Sequence, residues 1–273
     1  MTTDRLLLLA PRINDTGLQL LTAARRRGMR AQTATAWRLP EELREVRPAH
    51  LYGGPLFADA VGRGLGIAAL EPAEDWLVRL PRELTRRTVE LTTLAEARRL
   101  RRPAFLKPPA DKLFPARIYP DGTGLPGPDA LDDDTLVQIS DIVAFRREYR
   151  LFVLDGAVHT ASRYLVDGQL NVAPLAEDPY RAEVHAFAAQ VLAACAGTLP
   201  SAVVVDVGLL DGDGAGGGPG AWCVVEANMA WASGGYGCDP DRVLDVVLRA
   251  AGPLADLAPA DEPFCRALAT VVG

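Results

Sequence analysis

Trp222-Cys223-Val224-Val225-Glu226-Ala227-Asn228 is an apolar strand that ends on a carboxylate and, two residues later, a carboxamide. Side chains two apart on a strand share a face, so Glu226 and Asn228 present oxygen ligands side by side. The earlier run Ala202-Val203-Val204-Val205-Asp206-Val207-Gly208 reads as a second strand carrying one acid, Asp206. Paired as a hairpin, the two strands bring Asp206 near Glu226 and Asn228. Three hard oxygen donors suit Mg²⁺, which favours carboxylates plus substrate phosphates over an all-protein cage. The bland alternative is that Asp206 and Glu226 merely end buried strands. Against it stands an acid inside Val-Val-Val-Asp-Val-Gly, which is costly to bury without a partner.

The 273 residues are 49% hydrophobic, enough for a sizeable core and one to three domains. No apolar run of about 18 residues occurs, so no membrane span is expected. Met1-Thr2-Thr3-Asp4-Arg5-Leu6-Leu7-Leu8-Leu9-Ala10-Pro11 has no small-residue cleavage site behind its apolar run and reads as a first strand. Cys195, Cys223, Cys238 and Cys265 show neither zinc-ligand spacing nor a disulfide framework, and a reducing cytoplasm is expected.

The net charge of −6 is uneven. Residues 1–112 carry 20 basic and 13 acidic groups, and residues 113–273 carry 9 and 22. The basic excess lies in arginines such as Arg25, Arg26, Arg27, Arg98, Arg99, Arg101 and Arg102, read as solvated helix faces. No aromatic residues interleave them as a nucleic-acid stacking platform needs, so no nucleic-acid partner is expected. Of 29 Lys plus Arg, only Lys107 and Lys112 are lysines, and they fall within six residues. A compact ammonium on a flexible stem suits contact with phosphate.

In chain order, Arg5–Ala10 reads as a buried strand. A helix follows, capped by Asp15 or Thr16, with Leu18, Leu20, Leu21 and Ala24 on its apolar face and Gly28 at its end. Strands at Met29–Ala34, Ala49–Tyr52 and Ile67–Leu70, alternating with helices, indicate a parallel sheet. Gly53-Gly54-Pro55 reads as a turn rather than a full phosphate-binding loop. Residues 73–102 read as helical and Arg-rich, broken at Pro81 and near Thr92–Thr93, with a capping box at Thr93-Leu94-Ala95-Glu96. Ala104–Lys107 is a short strand.

From Leu136 the pattern turns antiparallel. Asp155-Gly156 and Asp167-Gly168 mark hairpins joining Tyr149–Leu154, Ala157–Val166 and Gln169–Ala173. Pro179–Cys195 is an amphipathic helix. The connection Asp211–Gly220, rich in Gly and Asp, is expected to be mobile. Pro240–Ala250 and Glu262–Val271 are expected as closing helices.

Four features therefore follow in order: a strand ending on Lys107; Val137-Gln138-Ile139-Ser140-Asp141, able to link two subdomains; a hairpin carrying Glu148-Tyr149-Arg150-Leu151-Phe152-Val153-Leu154-Asp155-Gly156 and Arg163; and Asp206 with Glu226-Ala227-Asn228. This order resembles the ATP-grasp superfamily over about residues 80–255. The resemblance implies a fold of two α+β subdomains clasping ATP, preceded by a small Rossmann-like parallel α/β domain. The boundaries would be residues 1–75 for the first domain, 76–138 for the small lid subdomain with its linker helices, and 139–273 for the large C-terminal subdomain.

It also implies a carboxylate–amine ligase that forms an amide or peptide bond through an acyl-phosphate, with ATP and Mg²⁺. Its substrates would be small molecules or peptides, and a homodimer is left open. The alternatives are a non-ligating nucleotide-binding regulator or scaffold and a phosphotransferase on the same fold. Lys107, Lys112, Gln138, Ile139, Ser140, Asp141 and Glu148 would hold the nucleotide, and Asp206, Glu226 and Asn228 the metal. Arg150 and Arg163 would act on the transferring phosphoryl group. Trp231, Ser233, Gly234, Gly235 and Tyr236 would line the substrate pocket. The sequence departs from the family in lacking a Gly-rich loop after Lys107, where Pro108-Pro109-Ala110-Asp111-Lys112 stands instead.

Overall fold

Leu6–Leu9 is buried along its whole length because it forms the centre of a parallel sheet. The computed structural model describes residues 3–12, 14–211 and 220–268. Strand β1 (Thr3–Leu9) lies between β2 (Met29–Thr33) and β3 (Ala49–Tyr52), with both pairings parallel. Helix α1 (Asp15–Arg26) follows β1, and α2 (Pro55–Leu65) follows β3. The cap of α1 is Asn14, not Asp15 or Thr16: its Oδ1 accepts the Gly17 N–H at 2.7 Å. Leu20, Ala23 and Ala24 are buried as expected, whereas Leu18 is exposed.

The expected fourth parallel strand is corrected. Strand β4 (Ile67–Ala69) pairs antiparallel with Ala251–Pro253 in a separate two-stranded sheet. The chain returning from the last helix supplies the nearer partner, and the Leu70 N–H continues the contact onto the Ala250 carbonyl at 2.7 Å.

Residues 73–102 are less helical than expected. Two single-turn helices, α3 (Trp76–Arg79) and α4 (Arg82–Thr85), lead into strand β5 (Val89–Thr93) and then α5 (Leu94–Ala97), whose cap is Thr93. Val-Glu-Leu-Thr-Thr is rich in β-branched side chains that suit a pleated surface. Strands β6 (Ala104–Lys107), β7 (Arg117–Tyr119) and β8 (Leu136–Ser140) complete an antiparallel sheet in the order β5-β8-β6-β7. The segment expected to link subdomains is thus an inner strand of this small sheet. Leu94, Leu106, Phe114, Tyr119 and Val137 form its core.

The larger sheet comprises β9 (Phe145–Leu154), β10 (Ala157–Val166), β11 (Gln169–Pro174), β12 (Ala202–Leu210) and β13 (Trp222–Asn228). Its order is β11-β10-β9-β12-β13, all antiparallel. Asp155 and Gly156 have φ of 49° and 74°, and Asp167 and Gly168 have 47° and 74°. Positive φ at both central residues is the twist that two-residue hairpins require. Helix α6 (Arg181–Ala194) packs Val184, Phe187 and Val191 against Tyr149, Leu151, Val153 and Val203 on one face of the sheet. Helix α7 (Pro240–Ala250) packs on the other face, where Phe152, Ala202 and Val204 join the core of the first domain.

A 3₁₀ stretch, Pro259–Phe264, replaces the start of the expected closing helix, and residues 269–271 of that expectation lie outside the described residues. So do residues 212–219 of the connection expected to be mobile. Among the described residues no helix is long and apolar enough to cross a membrane, and all four cysteines are free.

Candidate active site

Antiparallel pairing of β12 with β13 sets Asp206 opposite Glu226 and Val204 opposite Asn228. The register slips by one between Asp206 and Val207, leaving Val225 as an extra residue beside Glu226. Such bulges bend a strand and re-aim its side chains. The Asn228 Nδ2–H donates to Glu226 Oε1 at 2.8 Å, so the two side chains share a face as the spacing requires. Lys107, at the end of β6, ion-pairs with Glu226 Oε2 across the gap between the two sheets. Burial acts to raise the Glu226 carboxyl, but Lys107 and Asn228 together hold it down at about 2.

Asp206 is fully buried and faces Arg150 on β9. The guanidinium grips it with both arms, Nε to Oδ1 at 2.9 Å and Nη2 to Oδ2 at 2.6 Å. Burial pushes the Asp206 carboxyl up against the pull of Arg150. Burial also opposes the charge on Arg150, yet Asp206 raises its pKa above the ordinary value. The Nη1–H of Arg150 donates to the Gly234 carbonyl at 3.1 Å. Its cation lies 5.6 Å from the Tyr164 ring centroid and 5.0 Å from that of Tyr236. Those rings stack at 4.9 Å, and the Tyr164 hydroxyl donates to Glu148 at 2.6 Å. Burial, the largest effect on Glu148, raises its carboxyl.

These groups border a cleft of about 1270 Å³ between the small sheet, the large sheet and the C-terminal ends of β1 and β3. Of the expected residues, Lys107, Lys112, Gln138, Ser140, Asp141, Glu148, Arg150, Glu226, Asn228, Ser233, Gly234 and Tyr236 line it. Gln138 and Ser140 alternate with Ile139, which turns into the core of the small sheet instead. Gln138 donates to the Glu74 carbonyl at 3.2 Å, and Asp141 accepts the Thr88 N–H at 2.8 Å.

Three expectations are corrected. Regular continuation of the Asp155-Gly156 hairpin would put Arg163 opposite Glu148, on the face of Arg150. A one-residue slip between Val158 and Thr160 instead pairs Arg150 with Ser162 and Arg163 with Tyr149. One such slip sends every later side chain to the other face. Arg163 therefore lies on the α6 side of the sheet, paired with buried Asp178, which also accepts the Tyr149 hydroxyl at 2.9 Å. Trp231 is fully buried in the core, its indole N–H donating to the Leu70 carbonyl at 2.8 Å. Gly235 stands behind the cleft wall, where its N–H donates to Thr16 Oγ1 at 2.8 Å.

The donor chemistry bears directly on the expected metal site. Among the described residues no group of three or more His, Cys, Asp and Glu side chains could hold a metal ion. Glu226 and Asn228 nevertheless present hard oxygen atoms to the cleft, a donor set that fits Mg²⁺ when substrate phosphates supply further ligands. Asp206 stands behind Arg150 and does not line the cleft.

Sequence reasoning missed several cleft residues. Arg87, in a segment read as solvated helix, is buried and donates to the Val224 carbonyl at 2.6 Å and the Val225 carbonyl at 2.8 Å. It satisfies the carbonyls around the bulge, which have no ladder partner, and thereby fixes the strand ahead of Glu226. Nothing in a run of arginines distinguishes it from its neighbours. Arg12, Tyr52 and Trp37 also line the cleft from the first domain. Arg266, near the C-terminus, donates to Asp59, Glu71 and Asp111 at 3.0 to 3.1 Å, tying the Pro108–Lys112 segment to α2 and to the loop after β4.

No curated protein sequence matches this chain significantly. Its structure resembles that of the ATP-grasp ligase PsnB complexed with a minimal precursor, at a TM-score of 0.50 and 16% identity over 91% of this chain and 99% of that one. It resembles D-alanine–D-alanine ligase from Bacillus anthracis at a TM-score of 0.50 and 13% identity, over 90% and 96%. Residues 84–246 match a family described as an ATP-grasp domain, the second family of its clade. That match spans more than half of the sequence and takes in Lys107, the Arg150 hairpin, the two acid-bearing strands and α7, so the chain belongs to the ATP-grasp family.

Proposed function

We propose that the chain is an ATP- and Mg²⁺-dependent ligase that joins a carboxylate to an amine through an acyl-phosphate and releases ADP and orthophosphate. The observation that carries this reading is the pairing of Lys107 with Glu226, beside Asn228, in a cleft that Arg150 and Lys112 also line. A phosphate chain and a hard cation each match one half of that pair. On ligand entry Lys107 would turn to a phosphate oxygen while Glu226 takes the cation, so neither is left buried and unpaired. The two ligases of similar fold support ligation as the outcome.

Bound Mg²⁺ would neutralise phosphate charge and hold the γ-phosphoryl group for in-line transfer. Gln138, Ser140 and Asp141 would contact the base and ribose, and Glu148 would hold Tyr164 against Arg150. Asp206 would orient the Arg150 guanidinium, joining the metal ligands only if Arg150 leaves it. In the first step a carboxylate oxygen attacks the γ-phosphorus and ADP leaves. In the second the amine attacks the acyl carbon, orthophosphate leaves and the nitrogen loses a proton. Arg150 and Lys112 would stabilise charge on the transferring group.

The test measures ADP and orthophosphate release with paired amino acids and short peptides. Wild type should turn over one pair, and folded Glu226→Gln should lose about 100-fold or more in rate. Equal activity in the variant removes Glu226 from the chemistry. MgATP binding with no turnover on any pair favours a nucleotide-binding regulator.

A further inference from the structure

Ten large apolar side chains among the described residues are exposed, and seven of them line the one cleft described above. Scattered exposed apolar residues are ordinary on a protein surface; their concentration around one concave site marks a binding surface. Three come from the first domain: Leu18 at 49% exposure, Trp37 at 54% and Leu56 at 76%. The Trp37 ring is held edge-on by buried Phe57 at 5.8 Å, so this wall is built on a rigid support.

The wall stands at the phosphoryl-transfer end of the cleft, away from the proposed nucleotide contacts on β8. The Tyr52 hydroxyl donates to the Ser233 carbonyl at 3.1 Å, and Thr16 accepts from Gly235. The Gly234 carbonyl between them accepts from Arg150. Arg12, exposed on the same side, has no ion-pair partner among the described residues. Apolar surface and an unpaired cation together match a ligand with a large apolar side chain and a carboxylate.

Resting on the ligase reading, we propose that the amine substrate is an amino acid with a large apolar side chain. Its side chain packs on Leu18, Trp37 and Leu56, its carboxylate faces Arg12, and its amine is directed toward Arg150 and the acyl group. This identifies the class of the second substrate by chemistry, and it predicts discrimination against small and acidic amino acids.

The test titrates L-leucine, L-phenylalanine, L-phenylalaninamide, glycine and L-glutamate into the full chain with Mg²⁺ and a non-hydrolysable ATP analogue. Binding is read by calorimetry and by tryptophan emission, since Trp37 is exposed while Trp76 and Trp231 are buried. Leucine or phenylalanine should bind at least tenfold tighter than glycine or glutamate, and phenylalaninamide should bind about tenfold weaker than phenylalanine. Leu56→Asp, at an exposed position in the first turn of α2, should lose tenfold for the apolar amino acids and keep its affinity for the analogue. Glycine or glutamate binding as tightly as leucine overturns the proposal, as does no response to any of the five while the analogue binds. Failure of the analogue itself to bind overturns the nucleotide reading beneath it.

Discussion

Replacing Arg266 with methionine should release the Lys107–Lys112 segment, and the chain carries its own reporter of that release. Arg266 meets Asp59 with two arms at 3.0 and 3.1 Å, Glu71 at 3.1 Å and Asp111 at 3.1 Å. Its side chain is 15% exposed and that of Asp111 33%. An exposed ion pair contributes about 0.2–1 kcal/mol, and breaking a buried one costs about 3–5 kcal/mol. Solvent screening at Asp111 places its share near the lower range, at about 1 kcal/mol. One kcal/mol is roughly a fivefold change in the population of the released segment. Because Lys107 and Lys112 are the only lysines, a lysine-specific protease can cut this chain nowhere else. When opening is fast relative to cleavage, the cutting rate follows the open population. Asp111→Asn should therefore speed cutting about fivefold and Arg266→Met by more, while Asp59→Asn, which keeps the tie to the segment, should change it least. Equal rates for wild type, Asp111→Asn and Arg266→Met would refute the latch. An Asp59→Asn effect as large as that of Asp111→Asn would mean general loosening instead.

Lys107→Ala should weaken ATP binding at least tenfold, about 1.4 kcal/mol, in calorimetric titration with Mg²⁺. Arg150→Met should strand fully buried Asp206 and cost about 3–5 kcal/mol in urea unfolding, and adding Asp206→Asn should recover part of the loss. His50 is buried, accepts from Arg5 Nε at 2.8 Å and has its other ring nitrogen 2.8 Å from the Leu248 carbonyl, an arrangement that suits the neutral ring. Burial, aided by Arg5, lowers its pKa from 6.5 to about 4. The unfolded chain then binds the proton more readily, so this contribution is full above pH 6.5 and is lost as pH falls toward about 4. The loss is about 3 kcal/mol, and His50→Gln should flatten the unfolding free energy across that window.

The parts of the site that were legible in the sequence are those fixed by local chemistry. Glu226 and Asn228 share a face because strands have a period of two, and both Asp-Gly turns formed hairpins because they need positive φ. Arg163 was misplaced because a one-residue slip around His159 depends on cross-strand packing that no local pattern encodes. The pairing of β4 with Ala251–Pro253 joins residues about 180 apart, and the ties of Arg266 run from the C-terminus to three distant acids. Arg87 and Arg150 owe their roles to burial against particular carbonyls and a particular carboxylate, whereas the sequence offers only their charge. Trp231 reads equally well as a pocket wall or as core until its indole N–H finds Leu70.

The central claim is that this cleft activates a carboxylate as an acyl-phosphate. The most direct measurement supplies a turned-over substrate pair with oxygen-18 in the carboxylate and follows the label by mass spectrometry of the released phosphate. An acyl-phosphate route transfers one labelled oxygen from the carboxylate to orthophosphate, with ADP as the nucleotide product. Amide formation with unlabelled orthophosphate, or with AMP and pyrophosphate, would contradict the account.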